Sequence, residues 1–298
     1  MQGSLCLKKG VLYVGRSAKT ASVASYDLDG HPLETRFMFR DEHTGMSSVS
    51  GLDVDDDHRI WVADGAGGRL RGFTLFGREI ALVGTEPDSS EDLSGSLGLP
   101  VDVAASGSDD TLEILVASRG VRRHALQSLQ PESGHVHSLR PLGDPRGQFQ
   151  DLVSVARTGD LVYACERRAS RIQVFRQGDF HFAFQIPASG GGFAVPSAVA
   201  VLDDRRALVT VTRPESALLL VDRTGTVLRV LASGPEEGGA SDGAPRSGEV
   251  RHPSGVVVEP GERDRDTRLA VLDCDGERVQ VFNLESVCYG AFQHLADF

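Results

Sequence analysis

Short apolar runs of about four to six residues, rich in β-branched side chains and bounded by Gly, Asp or Ser, recur along the whole chain. No stretch sustains the 3.6-residue period of an amphipathic helix, so the pattern predicts an all-β protein of many short strands with turns between them. Gly51-Leu52-Asp53-Val54 and Gly255-Val256-Val257-Val258 read as first strands, Ile60-Trp61-Val62-Ala63-Asp64 as a second, Arg69-Leu70-Arg71-Gly72-Phe73 as a third, and Arg36-Phe37-Met38-Phe39 as a fourth.

These runs are copies of one another. The second and third strands recur with the same internal spacing as Leu269-Ala270-Val271-Leu272-Asp273 and Arg278-Val279-Gln280-Val281-Phe282. They recur again, one residue longer in the loop, as Leu161-Val162-Tyr163-Ala164-Cys165 and Arg171-Ile172-Gln173-Val174-Phe175. Looser second-strand copies end at Arg16, Ser118 and Thr212. The six copies are spaced by roughly 47 to 61 residues, room for four short strands each and longer than most helical solenoid repeats. Six such meanders packed radially make a six-bladed β-propeller of four-stranded antiparallel blades. The blades are expected over residues 1–45, 46–97, 98–148, 149–193, 194–250 and 251–298, as one domain closed without a shared strand.

The units resemble NHL repeats, a six-bladed propeller family of TolB-like shape. The resemblance rests on these strand pairs, on Gly143-Asp144-Pro145-Arg146-Gly147-Gln148-Phe149, which is similar to the family's Gly-rich segment ending in Gln-Phe, and on His252-Pro253-Ser254-Gly255-Val256 at a strand start. It is strong in units two, four and six and loose in the others. NHL propellers are binding platforms in many settings, and a minority are lyases, so the resemblance does not decide the activity. In the lyases three histidines surround one zinc. Here His252 stands at a suitable strand start, but the corresponding positions read Leu99-Pro100-Val101, Gln150-Asp151-Leu152 and Val195-Pro196-Ser197, and the triad is not present.

Composition narrows the choice. The chain has 298 residues, 40% hydrophobic and 24% charged, which suits a globular domain with a sizeable core. Its net charge of −11 opposes phosphate backbones and anionic lipid, so nucleic acid and membrane are not the expected partners. No apolar run is long enough for a signal sequence or a membrane span, and the expected location is cytoplasmic. Cys6, Cys165, Cys274 and Cys288 lack ligand or disulfide spacing and read as thiols.

Candidate chemistry is sparse. Asp64 with Arg69 and Asp273 with Arg278 read as ion pairs bracing a turn. His135 and His137 share one face of a strand, too few ligands for a metal. Asp53 and Asp102, on first strands, are the candidates for a cation in the central channel, which would need further oxygen ligands. There is no Gly-x-Ser-x-Gly elbow, and Ser189-Gly190-Gly191-Gly192-Phe193 lacks the Lys-Ser/Thr of a phosphate loop. No cofactor is expected.

Topology gives the strongest lead. Loops after the second and fourth strands of a meander emerge on one face, which collects Arg16, Arg119, Arg167, Arg168, Arg213 and His252, together with long loops near 84–99, 127–149 and 233–251. Glu86, Asp88, Glu91, Asp92, Glu236, Glu237 and Asp242 add opposing charge there, the last three within an acidic, Gly-rich insertion. The expected function is therefore a non-catalytic, monomeric platform binding a protein, peptide or small ligand through arginine donors. The alternative is a metal-dependent propeller hydrolase or lyase built around Asp53 and Asp102. A third reading, single-stranded RNA on the same face, is opposed by the net charge and by the scarcity of aromatic side chains.

Overall fold

The computed structural model describes residues 2–17, 21–33, 39–40, 45–84, 97–119, 124–131, 135–138, 148–234, 247–273 and 277–293. Twenty-four strands form six four-stranded antiparallel sheets in chain order, and the one helical element among the described residues is a single 3₁₀ turn, Asp109–Thr111. The first blade is Gln2–Lys8 (β1), Val11–Ser17 (β2), Ala21–Tyr26 (β3) and Phe39–Arg40 (β4). The second is Gly51–Val54 (β5), Ile60–Asp64 (β6), Arg69–Phe73 (β7) and Glu79–Val83 (β8). The third is Leu99–Ser106 (β9), Glu113–Arg119 (β10), His124–Gln130 (β11) and His135–Ser138 (β12). Leu152–Thr158 (β13), Leu161–Glu166 (β14), Arg171–Arg176 (β15) and Asp179–Phe184 (β16) make the fourth. Val195–Val201 (β17), Arg206–Arg213 (β18), Ala217–Asp222 (β19) and Val227–Ser233 (β20) make the fifth. Gly255–Glu259 (β21), Arg268–Asp273 (β22), Arg278–Phe282 (β23) and Cys288–Gln293 (β24) make the sixth. The fourth strand of the first blade begins at Phe39; residues 36–38 of the expected strand lie outside the described residues.

The first strands β1, β5, β9, β13, β17 and β21 pack successively against one another, and β21 returns to β1. No strand is shared between blades, so the ring closes by packing alone.

The reason the second strands read as unbroken apolar runs is visible in the core. Each is buried on both faces, and alternation sends successive side chains to opposite neighbours. Ile60 and Val62 pack towards the first blade with Tyr13 and Val49, whereas Trp61 and Ala63 pack towards the third with Val103, Ile114 and Val116. The same division holds for Leu115 and Ala117 against the fourth blade, and for Tyr163 and Cys165 against the fifth. Six apolar clusters result, one in each seam, the last joining Leu5, Leu12 and Val14 to Ala270, Leu272 and Val281. At about 1.5–3 kcal/mol for each fully buried large aliphatic or aromatic side chain, these seams drive closure.

Carboxylates at the ends of β6, β14 and β22 lock three blades. Asp64 is fully buried and accepts hydrogen bonds from the amides of Ser47 (3.1 Å), Ser48 (2.9 Å) and Gly67 (3.1 Å). Asp273 accepts from the amides of Arg251 and His252, both at 2.9 Å, and from the Arg278 guanidinium at 2.8 Å. In the fourth blade Glu166, one residue beyond Cys165, takes this place: it accepts from the Gln150 amide and pairs with Arg171. The expected Asp273–Arg278 pair is thus present but buried, and Asp64 forms an ion pair with Arg71, at 3.7 Å. These groups brace more than a turn. Each ties the chain segment entering a blade to that blade's second strand, satisfying amides that burial would otherwise leave unpaired.

Candidate functional site

Two concave regions lie on the axis and on the loop face. The axial cavity, of about 220 Å³, is lined by the first strands, including Cys6, Asp53, Asp102, Ser154 and Ser254. Asp53 Oδ2 accepts from the Ala105 amide of the next blade at 2.7 Å, and Oδ1 accepts from the Val54 amide at 2.8 Å and the Cys6 thiol at 3.1 Å. Asp102 repeats the arrangement one blade on: Oδ2 accepts from the Val155 amide at 2.9 Å and Oδ1 from the Val103 amide at 3.0 Å. Register separates the two carboxylates along the axis, because Asp53 faces Trp61, three residues before the end of β6, whereas Asp102 faces Ala117, two before the end of β10. All four oxygens accept a hydrogen bond, and three of them, both of Asp53 and Oδ2 of Asp102, staple neighbouring blades; neither residue belongs to a group of three metal-ligating side chains among the described residues. The geometry does not favour a cation between these two candidate residues, since a divalent ion needs several oxygens free to converge.

Burial raises both carboxyls. Asp53 is shifted up by desolvation, offset by its hydrogen bonds and by Lys8; Asp102 is pushed up by desolvation to about 7, against the pull of Val155, Ser154 and Val103. The ordinary value for an aspartate is about 3.9. Folded Asp102 therefore holds a proton that the unfolded chain has released between these limits, so its contribution to stability is complete below pH ~4 and is lost as pH rises through about 7. We expect the loss to be about 2 kcal/mol, roughly half the full shift, because the carboxyl faces a channel that admits water. Urea midpoints of wild type and Asp102→Asn, followed through Trp61 emission from about pH 4 to 8, would show the wild type losing this margin relative to the variant. A difference independent of pH would overturn the assignment.

The loop-face concavity is larger, about 1130 Å³, and gathers Arg167, Arg168, Arg213 and His252 around Asp151, with Phe149 and Val195 as its apolar part. Three successive blades supply these groups. Arg167 and Arg168 sit in the turn between β14 and β15, Arg213 ends β18, and His252 lies between β20 and β21, its amide held by Asp273. Asp151 has left-handed backbone (φ 59°), which Asp tolerates better than most residues, and its carbonyl accepts the Arg167 amide at 3.0 Å.

The charges are not equally engaged. Asp151 bridges Arg167, Nε to Oδ2 at 2.7 Å, and Arg119, Nη2 to Oδ1 at 3.1 Å; Arg119 also donates to the Leu152 carbonyl at 3.2 Å. Burial lowers Arg119 from its ordinary value, with Asp151 opposing the shift and Arg167 adding to it. Arg119 is thus a positioning group behind the concavity, while Arg168, Arg213 and His252 are exposed and their side chains have no partner among the described residues. Arg16, half-buried on β2 in the first blade, is engaged elsewhere and lies outside this group. Four of the six side chains expected on this face therefore meet in one place. Asp151, which sorts the arginines into engaged and free, had no signal in the sequence beyond being acidic beside a strand start.

His135 and His137 stand two apart on β12, the outermost strand of its blade, opposite Gln130 and Ser128. Residues 85–96, 139–147 and 235–246, with Glu86, Asp88, Glu91, Asp92, Glu236, Glu237 and Asp242, lie outside the described residues, as does Cys274. Among the described residues no helix is long and apolar enough to cross a membrane.

No known family profile matches the chain, and no curated protein matches it in sequence. Solved structures do. Virginiamycin B lyase from Staphylococcus aureus is 12% identical with a TM-score of 0.59, the match covering 99% of this chain and 84% of that one. The WD40 β-propeller domain of Doa1 is 15% identical with a TM-score of 0.55, covering 97% and 81%. A chain of the nidogen/laminin complex is 13% identical with a TM-score of 0.61, covering 95% and 92%. At such identities the likeness is one of fold, and the chain is a six-bladed β-propeller.

Proposed function

We propose that the chain is a single NHL-type propeller domain acting as a non-catalytic, monomeric binding platform for a protein, peptide or small ligand, through the arginine-bearing loop face. The observation that carries this reading is the pair of guanidinium groups, Arg168 and Arg213, that have no partner among the described residues and are placed with His252 in one large concavity of a chain whose net charge is −11. In an acidic protein whose other arginines mostly hold carboxylates, this is a local reversal of charge suited to an acidic partner. The likenesses are compatible with several uses of the fold, since one belongs to a lyase and another to a complex of two proteins, and they do not choose between them.

The test is capture from a cell extract with immobilised wild type and with an Arg168→Glu, Arg213→Glu variant of unchanged melting temperature. Partners held by wild type are expected to be depleted at least about tenfold on the variant, as charge reversal at a binding surface costs 1.4 kcal/mol or more. Equal capture by both proteins would remove this face from the function.

A further inference from the structure

We propose that the group this concavity takes is a phosphate monoester, held by Arg168, Arg213 and His252. The inference rests on the platform reading above and names the chemistry of its ligand.

Pairing is the rule for arginine in this molecule. Arg59 holds Asp55, Asp57 and Asp109, and Arg206 holds Asp203 and Asp264. Arg78, Arg205 and Arg223 are unpaired as well, but each stands on a separate turn between first and second or third and fourth strands, on the opposite face, where water solvates it singly. Arg168 and Arg213 differ in sharing a concavity. Asp151 is committed to Arg119 and Arg167, which leaves two guanidinium charges there without a counter-charge among the described residues.

The number and placement of donors select the anion. A carboxylate brings one charge and two oxygens, which one guanidinium satisfies in bidentate fashion. A phosphate monoester carries about −1.5 to −2 at neutral pH and three terminal oxygens, matching two guanidinium groups and an imidazole arriving from three blades. The Ser170 and Thr212 side chains also line the concavity and bring hydroxyls. Phe149 and Val195 give the ester's carbon portion an apolar wall, which a bare inorganic anion does not use. The turn carrying Arg167 and Arg168 is fixed beforehand by the Arg167 amide on Asp151 and the Ser170 amide on the Arg167 carbonyl, so little ordering is left to binding.

The experiment is fluorescence anisotropy with a labelled peptide library of random flanks around one phosphoserine, against the same library with serine, and with phenyl phosphate, benzoate and inorganic phosphate as competitors. The phosphorylated library should bind selectively. Arg168→Gln and Arg213→Gln should each weaken it about tenfold and the double variant about a hundredfold, while Arg205→Gln, Arg223→Gln leaves it unchanged. Phenyl phosphate should compete better than inorganic phosphate or benzoate. If it matches the peptide per phosphate, the source is a small ester, and if only the peptide binds tightly, a phosphorylated protein; both support the monoester. Equal binding of the two libraries, lost in the double variant, would overturn the phosphate assignment and leave the platform reading standing. Selective binding that survives the double variant would overturn the site, and displacement of the probe by a single-stranded oligonucleotide at lower phosphate concentration than phenyl phosphate would overturn the monoester in favour of a diester.

Discussion

Asp273→Ala is expected to lower the stability of the protein by about 3–5 kcal/mol, the range found when one partner of a buried ion pair is removed. The substitution strands three donors at once: the amides of Arg251 and His252 and the guanidinium of Arg278, in a site where Asp273 itself has no exposure. Arg278 also donates to the Glu249 carbonyl. Asp273→Asn retains an acceptor and should lose less, which separates the hydrogen bonds from the charge. Urea midpoints converted with a common slope measure both. Asp64→Ala removes the corresponding lock in the second blade, and the two losses should add, since the sites share no partner. A loss below about 1 kcal/mol for either alanine variant would show that water replaces the carboxylate and that the lock is not structural. Because Asp273 fixes the His252 amide, the alanine variant should also weaken ligand binding on the loop face under conditions where it remains folded.

Gly51→Ala should cost about 3 kcal/mol, at the upper end of what overpacking a well-filled interior does. A Cβ at position 51 would lie 2.4 Å from the Asp102 Cα and 2.8 Å from both the Asp102 carbonyl carbon and the Val103 nitrogen. All three are backbone atoms of β9, so no rotamer relieves the contact. Relief requires β5 and β9 to separate, and in a closed ring that strain is passed to the other seams. The substitution should therefore shift the urea midpoint and also disturb the Asp53–Ala105 staple between the same strands, visible as faster amide exchange at Ala105. An alanine variant as stable as wild type would mean that the first strands do not approach as closely as described.

Much of the architecture was legible in the chain. The second strands of blades two, four and six stand out because each ends in a carboxylate that holds the incoming segment, with an arginine opposite it five residues on; chemistry that recurs at fixed spacing is visible as a repeat. The first and fifth blades are harder to read, since no carboxylate ends β2 or β18, and the serines near them bind the segment that enters the following blade. Ser17 exchanges hydrogen bonds with the Val49 amide and carbonyl, and the Ser216 hydroxyl donates to the Arg251 carbonyl. In the fourth blade the copy ends at Glu166 rather than Cys165: Glu166 stands five positions before Arg171 and opposite it in register, as Asp64 does to Arg69 and Asp273 to Arg278, so its loop is no longer than theirs, where the sequence alone suggests one extra residue.

The loop face was likewise legible as a set of positions but not as a set of states. Strand order alone places Arg119, Arg167, Arg168, Arg213 and His252 on one side of the ring, because each follows or ends a second strand or precedes a first one. Which of them is free depends on Asp151, whose two oxygens take Arg119 from one blade and Arg167 from its own. Asp53 and Asp102 show the same limit. As residues of first strands they were placeable in the channel, but one oxygen of each is taken by the amide of the next blade, Ala105 and Val155, 52 and 53 positions further along the chain.

The sequence by itself determined the local and the periodic: strand-forming runs, their alternation, six copies of one meander and hence a propeller, since these follow from steric preference and from burial on a two-residue period. The tertiary structure alone decided which polar groups spend their hydrogen bonds and charge on neighbouring blades and which leave them exposed on the loop face. Those pairings join residues about a blade apart, at distances fixed by the closure of the whole ring, and no spacing within a repeat records them.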